Sequence, residues 1–294
     1  MGVIDTAYIS NFNSAIRSLT QQNKSKLRPA VDFEMLKAEQ GFIERLGLSV
    51  LEDVPSRHGD TPVSDPDHTR RRITASRKVG GHYVDTADQA RILILPAGRY
   101  ARAQAMAANR EIDRAIITAF AADVYGGKDG GTTVTFANDG RKQIAAGGAD
   151  LTIAKLVEAK EHFIDVHADG EMHIVVSSKQ ASALMNLTAF QTFDNRNSKA
   201  LESGDIGSGF MGFNWHVMGS NTTKGAALPV DGSSVRSCYA WIKDAMVLGM
   251  TQDVTTMVDR IPSKQGSILI QTHIDVGCTR IEGEQVVEIL CDES

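Results

Sequence analysis

The stretch from Val54 to Asp88 constrains this chain more than any other. It carries Pro55, Pro62 and Pro66, glycines at 59, 80 and 81, many charges and little apolar periodicity. Proline removes a backbone donor and glycine raises the entropy lost on ordering, so neither a helix nor a central strand runs through it undisturbed. About 35 residues without a core of their own is long for a loop inside a compact domain. At its centre, DTPVSDPDHTRRRIT (Asp60–Thr74) sets Asp60, Asp65 and Asp67 ahead of Arg70, Arg71 and Arg72. Such a segment buries too little apolar surface to offset its ordering entropy. It is either disordered or ordered by something outside its own domain. Ile73–Ser76 and Gly81–Val84 offer a short paired ribbon, which alone is marginal in water.

The arginine run has three readings: a nucleic-acid patch, a solvated loop, or an ion-pairing contact to another subunit. The net charge of -5 disfavours a dominant basic face, and the interleaved aspartates repel phosphate. On the residues alone, a solvated charge run is the commoner case. The 294 residues allow one large domain or two modest ones. Apolar runs such as Ile92–Leu95 are far too short to span a bilayer. No basic start followed by an apolar stretch suggests a secretory signal. MGVIDT fits a myristoylation pattern and NKS, NLT and NTT are sequons, but neither has supporting context. Cys238, Cys278 and Cys291 lie in apolar, strand-like surroundings without metal-type spacing, which points to reduced core thiols and folding in the cytosol.

Periodicity places the elements. Ile9, Phe12, Ile16 and Leu19 form a narrow helical stripe over Thr6–Gln22, capped by Asp5 or Thr6 and ended ahead of Pro29. Phe33–Leu51 offers a second short amphipathic piece, ending near Gly47. The clearest element follows Pro96: an alanine-rich helix over residues 97–125, with Tyr100, Ala103, Ala107, Ile112, Ile116, Phe120 and Val124 on one face and Gly126-Gly127 closing it. At ~1.5 Å per residue it makes a spine of roughly 40 Å. Gly126–Gly148 reads as turns, Leu151–Phe163 as a helix, Met172–Ser178 as a buried strand, and Lys179–Phe190 as a helix capped by Ser177 or Ser178. Polar loops at Gln191–Gly209 and Ser220–Ser234 flank a strand-like Phe210–Met218. Ser237–Ile242, Val254–Arg260, Ser267–Val276 and Gln285–Leu290 read as strands, and Lys243–Met250 is apolar without a clear period. Helices and strands mix without a βαβ rhythm, which is an α+β pattern.

Catalytic motifs find no foothold. GSGFMG (Gly207–Gly212) matches G-x-G-x-x-G, but a polar loop precedes it and a strand follows, where a dinucleotide site needs a helix. GGKDGGTT from Gly126 lacks the Walker spacing. His162, Asp165, His167 and Asp169 cluster, yet His162 and His167 do not stack on one helix face, and a solvated helix end is the simpler reading. No serine sits in a nucleophile elbow and no cysteine has an activating partner. The expectation is a protein that is not an enzyme and holds no cofactor or metal.

The order of parts carries more weight: a partly helical arm, a long charged loop, an alanine-rich spine helix, a mixed middle and an all-β return. With FIERLG at Phe42, DTP and HTRRRIT through Thr74, LTIAKLVEAKEHF at Leu151, IVVSSKQASAL at Ile174, FMGFNW at Phe210, YAWIKDAMVLG from Tyr239 and the closing GCTRIEGEQVVEILCD, it resembles the major capsid protein of tailed bacteriophages, the Hong Kong 97-type fold. The resemblance implies an N-terminal arm (1–53), an extended E-loop (54–92) lying over an adjacent subunit, a P-domain (93–165) holding the spine helix, an A-domain (166–250) with a central mixed sheet, and P-domain return strands (251–294). It implies hexamers and pentamers of this chain in an icosahedral shell around packaged double-stranded DNA, contacted non-specifically. It further implies a separate scaffolding protein, a portal, no membrane, and assembly in the host bacterial cytoplasm. Arg57, Asp60, Asp65, Asp67, Arg70, Arg71 and Arg72 become the expected subunit contact, since guanidinium groups pair with carboxylates in a fixed fork. An encapsulin-like compartment of the same fold, or an enzyme using the glycine-rich turns for a nucleotide, are the alternative readings.

Overall fold

The computed structural model describes residues 21–51, 53, 63, 65–84, 97–187, 206 and 209–293. The expected helix from Thr6 and the loop from Gln191 fall almost wholly outside these residues, as do Arg57 and Asp60. Within them the chain runs β1 (Asp32–Met35), β2 (Gln40–Leu46), β3 (His68–Thr74), β4 (Ser76–Val84), α1 (Ala97–Ala121), β5 (Val124–Gly126), β6 (Thr132–Val134) and β7 (Lys142–Ile144). It continues through α2 (Ile153–Asp165), β8 (Met172–Ser177), α3 (Ser178–Met185), β9 (Asn214–Met218), β10 (Val235–Ile242), β11 (Met246–Ile261), β12 (Ser267–Arg280) and β13 (Val286–Asp292). The strands form three sheets, ordered β1-β11-β12-β4, β7-β13-β10-β8-β9 and β2-β3-β5-β6. The mixture of helices and mixed sheets is α+β, as the residue pattern implies.

Helix α1 lies along β12 of the first sheet and carries Ile112, Ile116 and Phe120 into the core. Phe120 stacks on Tyr239 at 4.8 Å and tilts against Trp241 at 4.7 Å, both on β10, so this one side chain joins the spine to the five-stranded sheet. Trp241 Nε1 donates to Ala30 O at 2.8 Å, which satisfies its polar edge inside the core. α1 stops four residues before the expected end. Val124–Gly126 pairs instead with Arg71–Arg72 and Thr132–Val134, a case of tertiary pairing overriding a helical pattern.

Phe33–Leu51 is two strands. β1 runs parallel to β11, Asp32 opposite Val247, while β2 alternates exposed and half-buried positions with the period of a strand. The ribbon expected between Ile73–Ser76 and Gly81–Val84 does not form. β3 pairs with β2, and β4 pairs with β12 from Val84–Ile268 to Ser76–Val276. Only Ala75 separates the two strands, and there the chain crosses directly over Gly277. A Cβ at Gly277 would stand 2.1 Å from Thr74 O, so the crossover needs glycine beneath it. The expected return strands also divide: β12 belongs to the first sheet, β13 to the five-stranded one.

The segment ahead of β1 is tied to the spine by one buried carboxylate. Asp113 on α1 accepts from the backbone N–H groups of Lys26 (3.0 Å) and Leu27 (3.1 Å), and from the side chains of Gln22 and Ser25. Asp113→Ala leaves the buried Leu27 N–H and three part-buried donors without their acceptor, at about 1–3 kcal/mol for each group that water cannot reach. Chemical denaturation should show a loss of about 3 kcal/mol. A change under 1 kcal/mol would mean the segment is not held this way.

Candidate assembly interface

β2 and β3 form an antiparallel ribbon from Gln40–Thr74 to Leu46–His68, extended by a bond from Gly47 N to Asp67 O at 2.7 Å. Successive residues of a strand point to opposite faces, and this separates the three arginines. Arg70 lies across from Glu44 and binds it at 2.9 Å, lies over Phe42 at 5.4 Å, and donates to Lys128 O at 3.2 Å. Arg72 lies over Tyr125, its pairing partner on β5, at 4.6 Å.

Arg71 points the other way, into the chain. It is buried, pairs with Asp139 and donates to Ile281 O at 3.4 Å. The far oxygen of Asp139 accepts from Arg280 Nε at 2.9 Å. Arg280, fully buried on β12, also donates to Phe120 O (2.7 Å) and Ala122 O (3.3 Å), and its guanidinium lies over Phe136 at 4.2 Å. It thereby satisfies carbonyls at the C-terminus of α1, where a cation is also favoured by the helix dipole. Burial pushes the Arg71 and Arg280 guanidinium groups below their ordinary range, and the Asp139 carboxylate opposes that shift in both. Arg71, expected at a subunit contact, thus has its ion pair within its own chain. Its charge is neutralised within the subunit, where it joins β3 to the turn at Asp139 and to β12.

Asp65 and Asp67 are exposed at the distal end of the ribbon. The stretches flanking the ribbon's end in sequence carry exposed aliphatic residues. Leu46, Leu48, Val50, Leu51 and Val63 are all exposed, Leu48 at 92% and Leu51 at 97%. So many large aliphatic side chains left in water in one stretch of chain make a candidate contact site. The signal was present in the sequence as LGLSVL, Leu46–Leu51, beside the segment that drew attention for its charge. A second exposed apolar group lies on β4 and the distal half of β11. Val79, Tyr83 and Met257 share one face of the sheet by register through Gln271 and Gly81, and Gly80, directed oppositely, meets Gln104 of α1.

The other singled-out residues have local roles. Gly209–Gly212 forms a tight turn leading into β9, with no helix after it, while Gly207 and Ser208 lie outside the described residues. Gly126 ends β5 and Gly127–Gly131 turns into β6. His162 Nε2 is bonded to Glu284 O at 2.9 Å. Among the described residues no group of three or more His, Cys, Asp or Glu side chains is placed to hold a metal ion. The Cys278 thiol is pushed up to about 12 by burial, and that of Cys238 is raised by its hydrogen bond with Cys291 and by burial, so neither is an activated nucleophile.

The chain matches solved phage shells over almost its full length. It is 15% identical to a structure from Mycobacterium phage Che8, covering 96% of this chain and 97% of that one, with a TM-score of 0.67. The capsid asymmetric unit of cyanophage Pam1 matches at 15% identity over 99% and 98% of the two chains, with a TM-score of 0.69. The capsid of a native GTA particle matches at 13% identity over 99% of each chain, with a TM-score of 0.67. No curated protein matches this sequence. Neither the compartment nor the nucleotide-enzyme reading finds support among these likenesses. A family model described as phage capsid protein matches residues 4–293, and the chain thus belongs to the phage capsid protein family and is a major capsid protein.

Proposed function

We propose that this subunit closes an icosahedral head of hexamers and pentamers around double-stranded DNA, and that the β2–β3 ribbon is the arm by which each copy grips the next. The observation that carries this reading is the exposed apolar group at the ribbon's end, Leu46, Leu48, Val50, Leu51 and Val63, which nothing in its own chain covers among the described residues. Its counterpart on a neighbour is the Val79–Tyr83–Met257 face. Two different patches that fit one another make a head-to-tail contact, the kind that closes into rings. Arg70, Asp65 and Asp67 then form the polar rim around an apolar centre.

In this reading α1 with the β1-β11-β12-β4 sheet is the P-domain, and the β7-β13-β10-β8-β9 sheet is the core of the A-domain. The E-loop, expected over 54–92, is in this reading built on the β2–β3 ribbon, Gln40–Leu46 with His68–Thr74. The net charge of -5 suits a shell that lets the duplex slide during packing. A separate scaffolding protein and a portal complete the assembly, which takes place in the host cytoplasm.

Negative-stain microscopy of the purified chain, alone and co-expressed with its phage's scaffolding protein, tests the reading. Closed, uniform particles that protect DNA from nuclease when recovered as virions are expected. Particles loaded with protein cargo and devoid of DNA would replace the head by a compartment.

A further inference from the structure

β8 and β9 lie side by side at one edge of the five-stranded sheet, with His173 opposite Asn214 and Val175 opposite His216. This register puts His173 and His216 on the same face. His173 Nδ1 and His216 Nε2 are 3.2 Å apart, and both rings lie against Trp241 of β10, with centroids at 5.6 and 6.0 Å. In the neutral pair one nitrogen donates and the other accepts, so a single proton occupies the gap. Glu171, ahead of β8, brings its carboxylate to 3.7 Å from His173 Nε2, a buried nitrogen that makes no hydrogen bond. Two cations face the pair: Lys243, just past β10, and Lys26, whose ammonium is held by Val217 O at 2.7 Å, one residue beyond His216.

We propose that His173 and His216 are an acid-sensitive latch on β9, holding this edge strand in the sheet while both rings are neutral and loosening it when they charge. β9 is the strand a latch must hold. It is short, among the described residues it pairs with β8 alone, and it carries the turn at Gly209–Gly212 on one side and the Ser220–Ser234 loop on the other. Charging both rings at this separation sets like charges together in a site that water reaches poorly, with Lys26 and Lys243 adding to the repulsion and, among the described residues, Glu171 relieving it. Burial first, then His173 and Lys26, depress the His216 pKa to about 4. Burial likewise lowers that of His173, against the pull of Glu171. In the unfolded chain both titrate near ~6.5. The neutral native pair therefore contributes stability that is fully present above that value and is lost as pH falls toward about 4, where the native His216 takes its proton.

Hydrogen exchange of the full chain between pH 7 and pH 4.5, corrected for intrinsic exchange, tests the latch. Protection of Asn214–Met218 should fall at least tenfold over this range while β10 and β13 keep theirs. His216→Gln, which retains a donor and an acceptor but cannot titrate, should flatten that fall, as should His173→Gln. Constant protection of β9, a fall shared equally by β10 and β13, or an undiminished fall in both variants would each overturn the proposal. If neither variant folds, the wild-type comparison of β9 with β10 decides it.

Discussion

Asp139→Ala will destabilise the isolated subunit by about 3–5 kcal/mol, the range for removing one partner from a buried ion pair. A domain holds only about 5–15 kcal/mol in total, so soluble, folded protein should be scarce at 37 °C. The expectation rests on what is left behind. Arg71 and Arg280 are both buried, both rely on this one carboxylate, and an arginine does not escape by shedding its proton. The loss also spreads, because Asp139 links β3, the turn after Phe136 and β12, and Arg280 in turn closes the end of α1. Arg71→Met is the milder change, since Asp139 keeps Arg280 as a partner and the methionine fills part of the space. Denaturant midpoints should rank wild type above Arg71→Met, and Arg71→Met above Asp139→Ala. If the two variants prove equal, Arg280 does not depend on Asp139 and the network is misread.

That network shows where the residues alone stop being informative. α1, α2, β8 and the cap of α3 were legible because their signals are local. The spine has alanines and no proline, α2 has apolar anchors three and four apart, and the Ser177 hydroxyl accepts from Gln180 N as a serine cap should. Asp139 is a lone acid in a glycine-rich turn, 68 residues from Arg71 and 141 from Arg280, and nothing local marks it. β1 and β2 were missed for a related reason. The apolar positions of Phe33–Leu51 fit more than one period over so short a span, and the arbiter is pairing with β11 and β3, far along the chain. The charged segment reads as disordered or ordered from outside its own domain. What orders its C-terminal half is partly its own subunit, through β2, β5 and β12, before any neighbour is involved.

The contact between copies should therefore fail on loss of leucines more than on loss of arginines. In Leu48→Ser/Leu51→Ser, two side chains that the isolated subunit leaves almost fully in water become polar. Thermal melting of unassembled protein should stay within about 0.5 kcal/mol of wild type, as for surface changes away from any structural feature. Under the proposed docking such leucines become buried on the neighbour at about 1.5–3 kcal/mol each, and the loss recurs at every copy in the shell, so closed particles should be absent by sedimentation and microscopy. Arg70→Glu sets like charges across the ribbon at Glu44, yet both groups are well exposed and the pair contributes about 0–1 kcal/mol. It should fold and assemble at a modest disadvantage. Salt separates the two mechanisms further: screening weakens an ionic contact, whereas an apolar one keeps or gains strength in sulfate. Normal particles from the double-serine variant would show that the ribbon's apolar end is not the grip. Arginine-dependent, salt-sensitive assembly would then return the contact to Arg70 and Arg72.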